Sequence, residues 1–439
     1  MKLKRREPSA MSNAKALKRI PSIDRFRGTV IFSMIIFQFI EYFKNLGAAA
    51  NIALHAPKED AFYILPNFAI ADIIAPMFIL AIGLTYIPSL KRRIERDGKK
   101  KASIHFVGRY LTLIGIGMTM DGVNDLLGGK DNPIEKVCKI VSLTVVVLLL
   151  LYGVLRLFKA KKIAHYIGVA LGAVVVLYGV FGIVLAAVNG VMLVSGKTGD
   201  SYHHWMVLHH IGFAGLVALP FAMIDGKRAT LIRFISAAVI LALFTLFHEA
   251  SFSWTQFPNN MELVDKVADG GILGGFAWGA MLILYLAFSD LYYKGKKQFG
   301  IALGVFALIT AGITAGVFAT LPAGTDTWAG ALSSFLPINK GSVSPSYVII
   351  SAFLSLLTFS IFDLFNGFMP KFDPLRWWGK NPILMYCIEF AVIGGLTVAL
   401  EDFFKTASVP VSVLIIAAVI VALTSLTYVL DKKNIIVKL

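Results

Sequence analysis

An all-α helical bundle crossing a membrane about 11–12 times, with both termini in the cytoplasm, is the fold class this sequence predicts. Three observations predict it. The composition is 57% hydrophobic with a mean hydropathy of +0.74, beyond the usual range of soluble globular chains. Apolar runs of about 18 residues or more recur along the chain, each able to cross a hydrocarbon core of roughly 30 Å. The basic residues alternate between the loops: 32 of the 42 Lys and Arg fall on one side, nine on the other, and Arg109 lies inside a span. Such alternation follows the positive-inside rule.

Taken in order, the chain opens with a basic cytoplasmic tail over 1–21. Nine Lys and Arg fall within the first 27 residues, with no apolar core or small-residue cleavage site, so the first span is expected to act as its own insertion signal. A single transmembrane domain is expected over 22–431, with spans centred near residues 36, 79, 115, 148, 179, 215, 239, 281, 309, 355, 389 and 419. A re-entrant piece within 164–193 and a peripheral last span are the open variants. Residues 432–439 form a short cytoplasmic tail. The formal charge of +16 then reflects topology, and no nucleic-acid partner is expected. The run KRRIERDGKKK at 91–101 carries seven of the inner-side charges. It serves either as a plain topogenic signal or as an attractor for anionic lipid or a phosphorylated cytosolic ligand.

The first hairpin, from Ser22 to Thr85, concentrates the unusual features. Arg25 and Arg27 sit at the mouth of the first span, and Asp72 lies inside the apolar run of the second, with Pro76 four residues on. Ionisable groups in such positions cost several kcal/mol and mark pathways or sites. His55 hangs in the polar loop between these spans. Six of the eight histidines (His55, His203, His204, His209, His210 and His248) map to the outer side, where a neutral imidazole can serve as a general base. Interfacial histidines making local hydrogen bonds are the plainer reading of any one of them. The HHWMVLHH spacing matches no metal motif, and neither HExxH nor CxxC occurs, so no metal is expected. Further polar residues lie where lipid would penalise them: Arg109, Asp269, Asn339, Lys340, Asp363, Asn381 and Glu389. As a set they suggest a polar path through the bundle. Cys138 and Cys387 lie in or beside apolar runs, where packing is favoured over a disulfide.

These residues resemble a known family. SIDRFRG, an outer-loop histidine and then Ala71, Asp72, Pro76, Phe78 and Gly83 are similar to the opening of the heparan-α-glucosaminide N-acetyltransferases, multi-span membrane acyltransferases. The resemblance continues through Arg109, Leu111 and Gly115, and through Val207-Leu208-His209-His210-Ile211-Gly212. It extends to Asp269-Gly270-Gly271-Ile272-Leu273-Gly274, to Pro337-Ile338-Asn339-Lys340 with Ser344, Ser346 and Tyr347, and to Gly379 through Tyr386. The chain departs from the family at Gln38, where an asparagine is usual, and at His209-His210, which replace Gln-Arg.

The resemblance implies an acetyl-CoA-dependent transferase of a bacterial cytoplasmic membrane, moving an acetyl group to an amine or hydroxyl of a sugar or glycan on the outer side. It implies catalysis by His55, with Gln38 as an oxyanion donor and Asp72 as orienter or tunnel wall. Donor binding is expected from Arg25, Arg27, Arg109, Asn339, Lys340 and Asn381, and acceptor binding from His209, His210 and Asp269. The partners expected are the lipid bilayer, the acyl-CoA donor and the glycan acceptor. An acetyl-histidine relay, His209 or His210 as the base, and a homodimer stay open. So do a secondary transporter or flippase and an inactive scaffold of the same fold.

Overall fold

In the computed structural model every expected span centre falls inside a helix. The structure describes residues 20–41, 43, 46–56, 60–126, 133–158, 160–194, 205, 207–251, 268–321, 336–368, 372–395, 400–433 and 435. Most of the N-terminal tail, part of the C-terminal tail, and His203 and His204 lie outside them.

The helices run in order: α1 (Pro21–Glu41), a short α2 (Ala48–Asn51), α3 (Ile74–Asp97), α4 (Lys99–Leu126), α5 (Pro133–Leu157), α6 (Lys161–Val194), α7 (Val207–Ala222) and α8 (Ala229–Ser251). There follow α9 (Gly271–Lys294), α10 (Lys296–Ala319), α11 (Pro345–Leu364), α12 (Pro374–Lys380), α13 (Pro382–Ile388), a π-helix (Glu389–Gly394), α14 (Glu401–Thr406) and α15 (Val409–Lys432).

Among the described residues, eight helical segments satisfy both the length and the apolarity needed to cross a bilayer, against the 11–12 spans expected. The four others differ for identifiable reasons. Helix α1 begins with Asp24, Arg25 and Arg27, and α4 carries Arg109 and Asp121. Helix α7 has only 16 residues, about 24 Å of rise. The span expected near residue 389 is broken into α13 and the π-helix. Helix α6 is continuous, without the re-entrant piece. Multi-pass integral architecture follows directly, since lipid tolerates only backbone whose polar groups are satisfied internally.

The core is built around α9, which packs against α3, α7, α8, α10 and α11. Of its apolar stretch 78% is buried, whereas α15 buries 11% and stands at the periphery. Both cysteines are free thiols. Between α1 and α3 lies the structure's small β-ribbon, β1 (Tyr63–Leu65) and β2 (Phe68–Ala69), antiparallel and closed by Pro66-Asn67.

Helices α1 and α12 meet backbone to backbone. A Cβ at Gly28 would stand 1.7 Å from the Leu375 carbonyl oxygen, and one at Gly379 would stand 1.8 Å from that of Asp24. Only glycine fits, because carbonyls on rigid helices cannot move aside as a flexible side chain would. Gly28→Ala or Gly379→Ala should therefore separate the helices and lower stability by about 1–3 kcal/mol, as overpacking does. Thermal unfolding in detergent reads this as a lowered Tm. Gly300→Ala, where nothing lies within 4 Å, should leave Tm unchanged or raised.

Candidate functional site

The polar loop between α1 and α3 folds onto the start of α3 through one carboxylate. A 3-10 turn (Ile70–Ile73) leads into the helix, and Asp72 is its third residue. Its Oδ2 reaches back to accept the Ala69 backbone N–H at 2.9 Å, and it also accepts from the Ala56 N–H at 3.4 Å. A carboxylate at the third position of a helical start satisfies amide donors that would otherwise be orphaned, and it lies at the favourable end of the helix dipole. Asp72 is fully buried (0% exposed). A buried carboxylate is tolerated only when paired and hydrogen-bonded.

Its other oxygen, Oδ1, stands 2.7 Å from His55 Nδ1. The ring leans outward, with 43% of the side chain exposed. Lys340 Nζ lies 3.3 Å from the same Nδ1, 4.0 Å from Asp72 Oδ1 and 3.6 Å from Asp269 Oδ1. The Tyr347 hydroxyl donates to the Asp72 carbonyl at 2.8 Å. Two carboxylates, one ammonium and one half-exposed imidazole thus share a single cluster at the N-terminal end of α3. A partly exposed imidazole held through one nitrogen by a buried carboxylate is an arrangement that can serve as a general base.

The surrounding backbone is strained. Among the described residues, three other than glycine have positive φ: Asn67 (52°), Asp269 (54°) and Val343 (53°). Each is in or next to a segment that touches the cluster. The Asn67 side-chain amide donates to the Ile338 carbonyl at 2.5 Å, tying the ribbon to the Lys340 loop. A β-branched residue in the left-handed region is rare, and strain of this kind collects at functional sites.

A cavity of about 650 Å³ opens at the opposite end of α3. Arg27, Arg92, Arg93, Arg96, His105, Arg109 and Lys380 line its charged part, and Phe78, Leu113, Leu208 and Ile211 its apolar part. Its size is that of a cofactor-binding pocket. On α3 the lining runs from Arg96 to Phe78, 18 residues at 1.5 Å rise, or about 27 Å along the axis. Phe78 is six residues from Asp72, roughly 9 Å further. Arg27 bonds Thr85 Oγ1 at 2.5 Å on the cavity wall. The Arg109 Nε is buried without a hydrogen-bond partner among the described residues.

The residues singled out from sequence fall into three places. His55, Asp72, Asp269 and Lys340 are together, with Asn339 beside them: its Oδ1 accepts from the Ser342 N–H at 3.2 Å and shapes the loop. Lys340 therefore stands with the histidine, not with the arginines it was grouped with. Arg27 and Arg109 line the basic cavity. Arg25, in contrast, is occupied by Asp373 (2.6 Å) and Asn366, and Asn381 donates to the Ile435 carbonyl at 3.0 Å, so both act in helix packing.

His209 and His210 are buried at the start of α7. His209 Nε2 is 3.7 Å from Asp121 Oδ2 with Trp205 against its ring, and His210 meets Trp278. Trp278 in turn touches Tyr347. Gln38 is half-buried on α1 and bonded to none of the cluster's side chains. Sequence reasoning offered the 91–101 run as a candidate attractor for a phosphorylated ligand but did not single out Arg92, Arg93 and Arg96, which line the cavity. Their signal was present, because Ser89, Arg92, Arg93 and Arg96 follow the i, i+3, i+4, i+7 spacing of one helix face. Tyr347 stood out only as part of the resemblance, and Asn67 carried no comparable signal.

Among the described residues no group of three or more His, Cys, Asp or Glu is arranged to hold a metal. Residues 19–203 match the family model described as heparan-alpha-glucosaminide N-acetyltransferase, catalytic. The chain resembles that transferase family over a stretch that includes His55, Asp72, Arg92, Arg96 and Arg109. No curated protein matches the chain.

Arg92 and Arg96 supply charge without carrying the fold, so their removal isolates the cavity's affinity for anions. Arg92→Gln and Arg96→Gln should each weaken binding of ADP, used as a phosphate-bearing probe, by about tenfold. That is the lower end of what a lost charge-assisted hydrogen bond, about 1.5–3 kcal/mol, removes. Titration calorimetry in detergent checks it, and unchanged affinity in both variants would show that the anion binds elsewhere.

Proposed function

We propose that the chain is a membrane acetyltransferase that takes an acetyl group from acetyl-CoA on the cytoplasmic side of a bacterial cytoplasmic membrane. It delivers that group to an amine or hydroxyl of a sugar or glycan on the opposite side. The observation that carries the reading is the pairing, along one helix, of a basic cavity with a carboxylate-held histidine at its far end. The family resemblance over 19–203 supports the class of reaction.

In this reading the phosphates of the donor sit against Arg27, Arg92, Arg96 and Arg109, and the thioester arm extends along the apolar part of the cavity toward Phe78 and Leu208. His55 Nε2 accepts the proton of the acceptor N–H or O–H as its N or O attacks the thioester carbonyl. The new C–N or C–O bond forms, the C–S bond breaks, and CoA leaves as thiolate, which takes up a proton. Asp72 holds the ring through Nδ1 and stabilises the imidazolium. The basic loops on the cavity side support a cytoplasmic position for that side.

The test is direct. Protein in liposomes is given acetyl-labelled CoA and a panel of amino sugars and neutral glycans. Labelled acceptor and free CoA are expected with the unaltered chain, and His55→Ala should lower kcat by about 10²- to 10⁴-fold, the usual contribution of a general base. Absence of transfer to every acceptor would remove the reading in favour of a transporter or scaffold. Transfer unchanged in His55→Ala but lost in His209→Ala would move the base to α7.

A further inference from the structure

We infer that the Asp269–Lys340 pair sets the tautomer of His55 and thereby decides whether its imidazole can act as a base. This rests on the acyl-transfer reading of the site and goes beyond it by giving the pair a positioning role. The observation is a conflict at one atom. His55 Nδ1 faces Asp72 Oδ1 at 2.7 Å and Lys340 Nζ at 3.3 Å. A carboxylate only accepts hydrogen bonds and an ammonium only donates them. A ring nitrogen bears either a proton or a lone pair, so it cannot satisfy both partners at once.

The two arrangements have opposite chemical consequences. With the proton on Nδ1 and directed at Asp72, Nε2 keeps its lone pair and can take a proton from the acceptor. With Lys340 donating to Nδ1, the neutral ring carries its proton on Nε2 and can only donate there. The first is a base and the second is not.

Three features of the structure favour the first. Asp72 cannot swing away, because its Oδ2 is held by the Ala69 and Ala56 amides. Its contact with Nδ1 is the shorter of the two. Asp269 offers Lys340 a second carboxylate at 3.6 Å, which draws the ammonium off the ring.

The backbone on both sides of that ion pair is set in unfavourable conformations that hold it in place. Asp269 adopts φ 54° and ψ 38°, followed by Gly270 at φ 77°, and the Asp269 carbonyl accepts from Trp278 Nε1 at 3.3 Å. Three residues past Lys340, the fully buried Val343 adopts φ 53°. A Cβ at Gly270 would come within 3.1 Å of the Val343 side chain, so the two strained turns pack on each other. Ser344 Oγ accepts the Asn339 N–H at 3.0 Å and closes the Lys340 loop. Strain concentrated on the two turns that carry an ion pair is accounted for if the position of that pair matters.

The experiment reads the tautomer itself. Protein labelled with ¹⁵N-histidine in lipid bilayers is measured by solid-state NMR, and the His55 signals are identified by their loss in His55→Ala. The unaltered chain should show Nδ1 protonated and Nε2 bare. Asp269→Asn should shift His55 toward the Nε2-protonated form, and adding Lys340→Met should shift it back. Asparagine takes the left-handed conformation readily, so the turn is kept.

In parallel, Asp269→Asn should lower kcat by about 10- to 100-fold, as loss of a partner behind a working imidazole does, with the KM for acetyl-CoA unchanged. An unaltered tautomer in Asp269→Asn overturns the inference. A shifted tautomer with unaltered kcat instead overturns His55 as the base, while the coupling of the pair to the ring stands.

Discussion

The buried carboxylate of Asp72 is the constraint on which the rest of this site depends. It is wholly removed from solvent, a position that costs several kcal/mol unless every lone pair is used. The protein meets that requirement with two backbone amides, one imidazole and a nearby ammonium. These partners come from three stretches of chain, so satisfying one charge gathers the loop after α1, the ribbon and the loop before α11 around the turn into α3. The site is in this sense a by-product of making Asp72 tolerable, and its chemistry follows from which partner holds which proton.

Helix α3 converts that local cluster into a device with two ends. Asp72 stands at its N-terminal end and Arg92, Arg93 and Arg96 at its C-terminal end, so both sets of charges complement the helix dipole. The same helix is a wall of the basic cavity over most of its length. Helices α9 and α1 fix it laterally, α9 as the buried centre of the bundle and α1 through its close contact with α12. The outer helices, α5, α10 and α15, contribute mainly lipid-facing surface.

Much of this was legible in the sequence, and the exceptions have physical causes. Span positions follow from hydropathy because lipid permits little else, and each expected centre falls in a helix. The prominence of His55 and Asp72 followed from an acid inside an apolar run beside an outer-loop histidine. Their pairing needs only 17 residues of separation and one turn. Lys340 was noted as well but grouped with the arginines, because its contact with His55 spans 285 residues and no local pattern reports such a distance.

The arginine face of α3 was hidden differently. Its charges also serve as a topological signal, and composition alone cannot separate the two uses. Among the described residues, helices that miss the apolarity or length of a clean span include α1 and α4, which carry cavity-lining Arg27 and Arg109, and the 16-residue α7, which starts at its two buried histidines.

The cavity's shape has an electrical consequence. It runs about 27 Å along a membrane-crossing helix and opens at its basic end, so a polyanion entering it moves through a share of the transmembrane potential. Each elementary charge carried across the full field is worth about 2.3 kcal/mol per 100 mV. In the proposed function, which sets the basic end in the cytoplasm of an energised cell, negative inside, the field draws an anionic donor inward along the cavity and opposes the return of the spent carrier. On the proposed acyl-transfer reading, occupancy of this cavity couples to membrane voltage, a driving force outside the chemistry of the thioester itself.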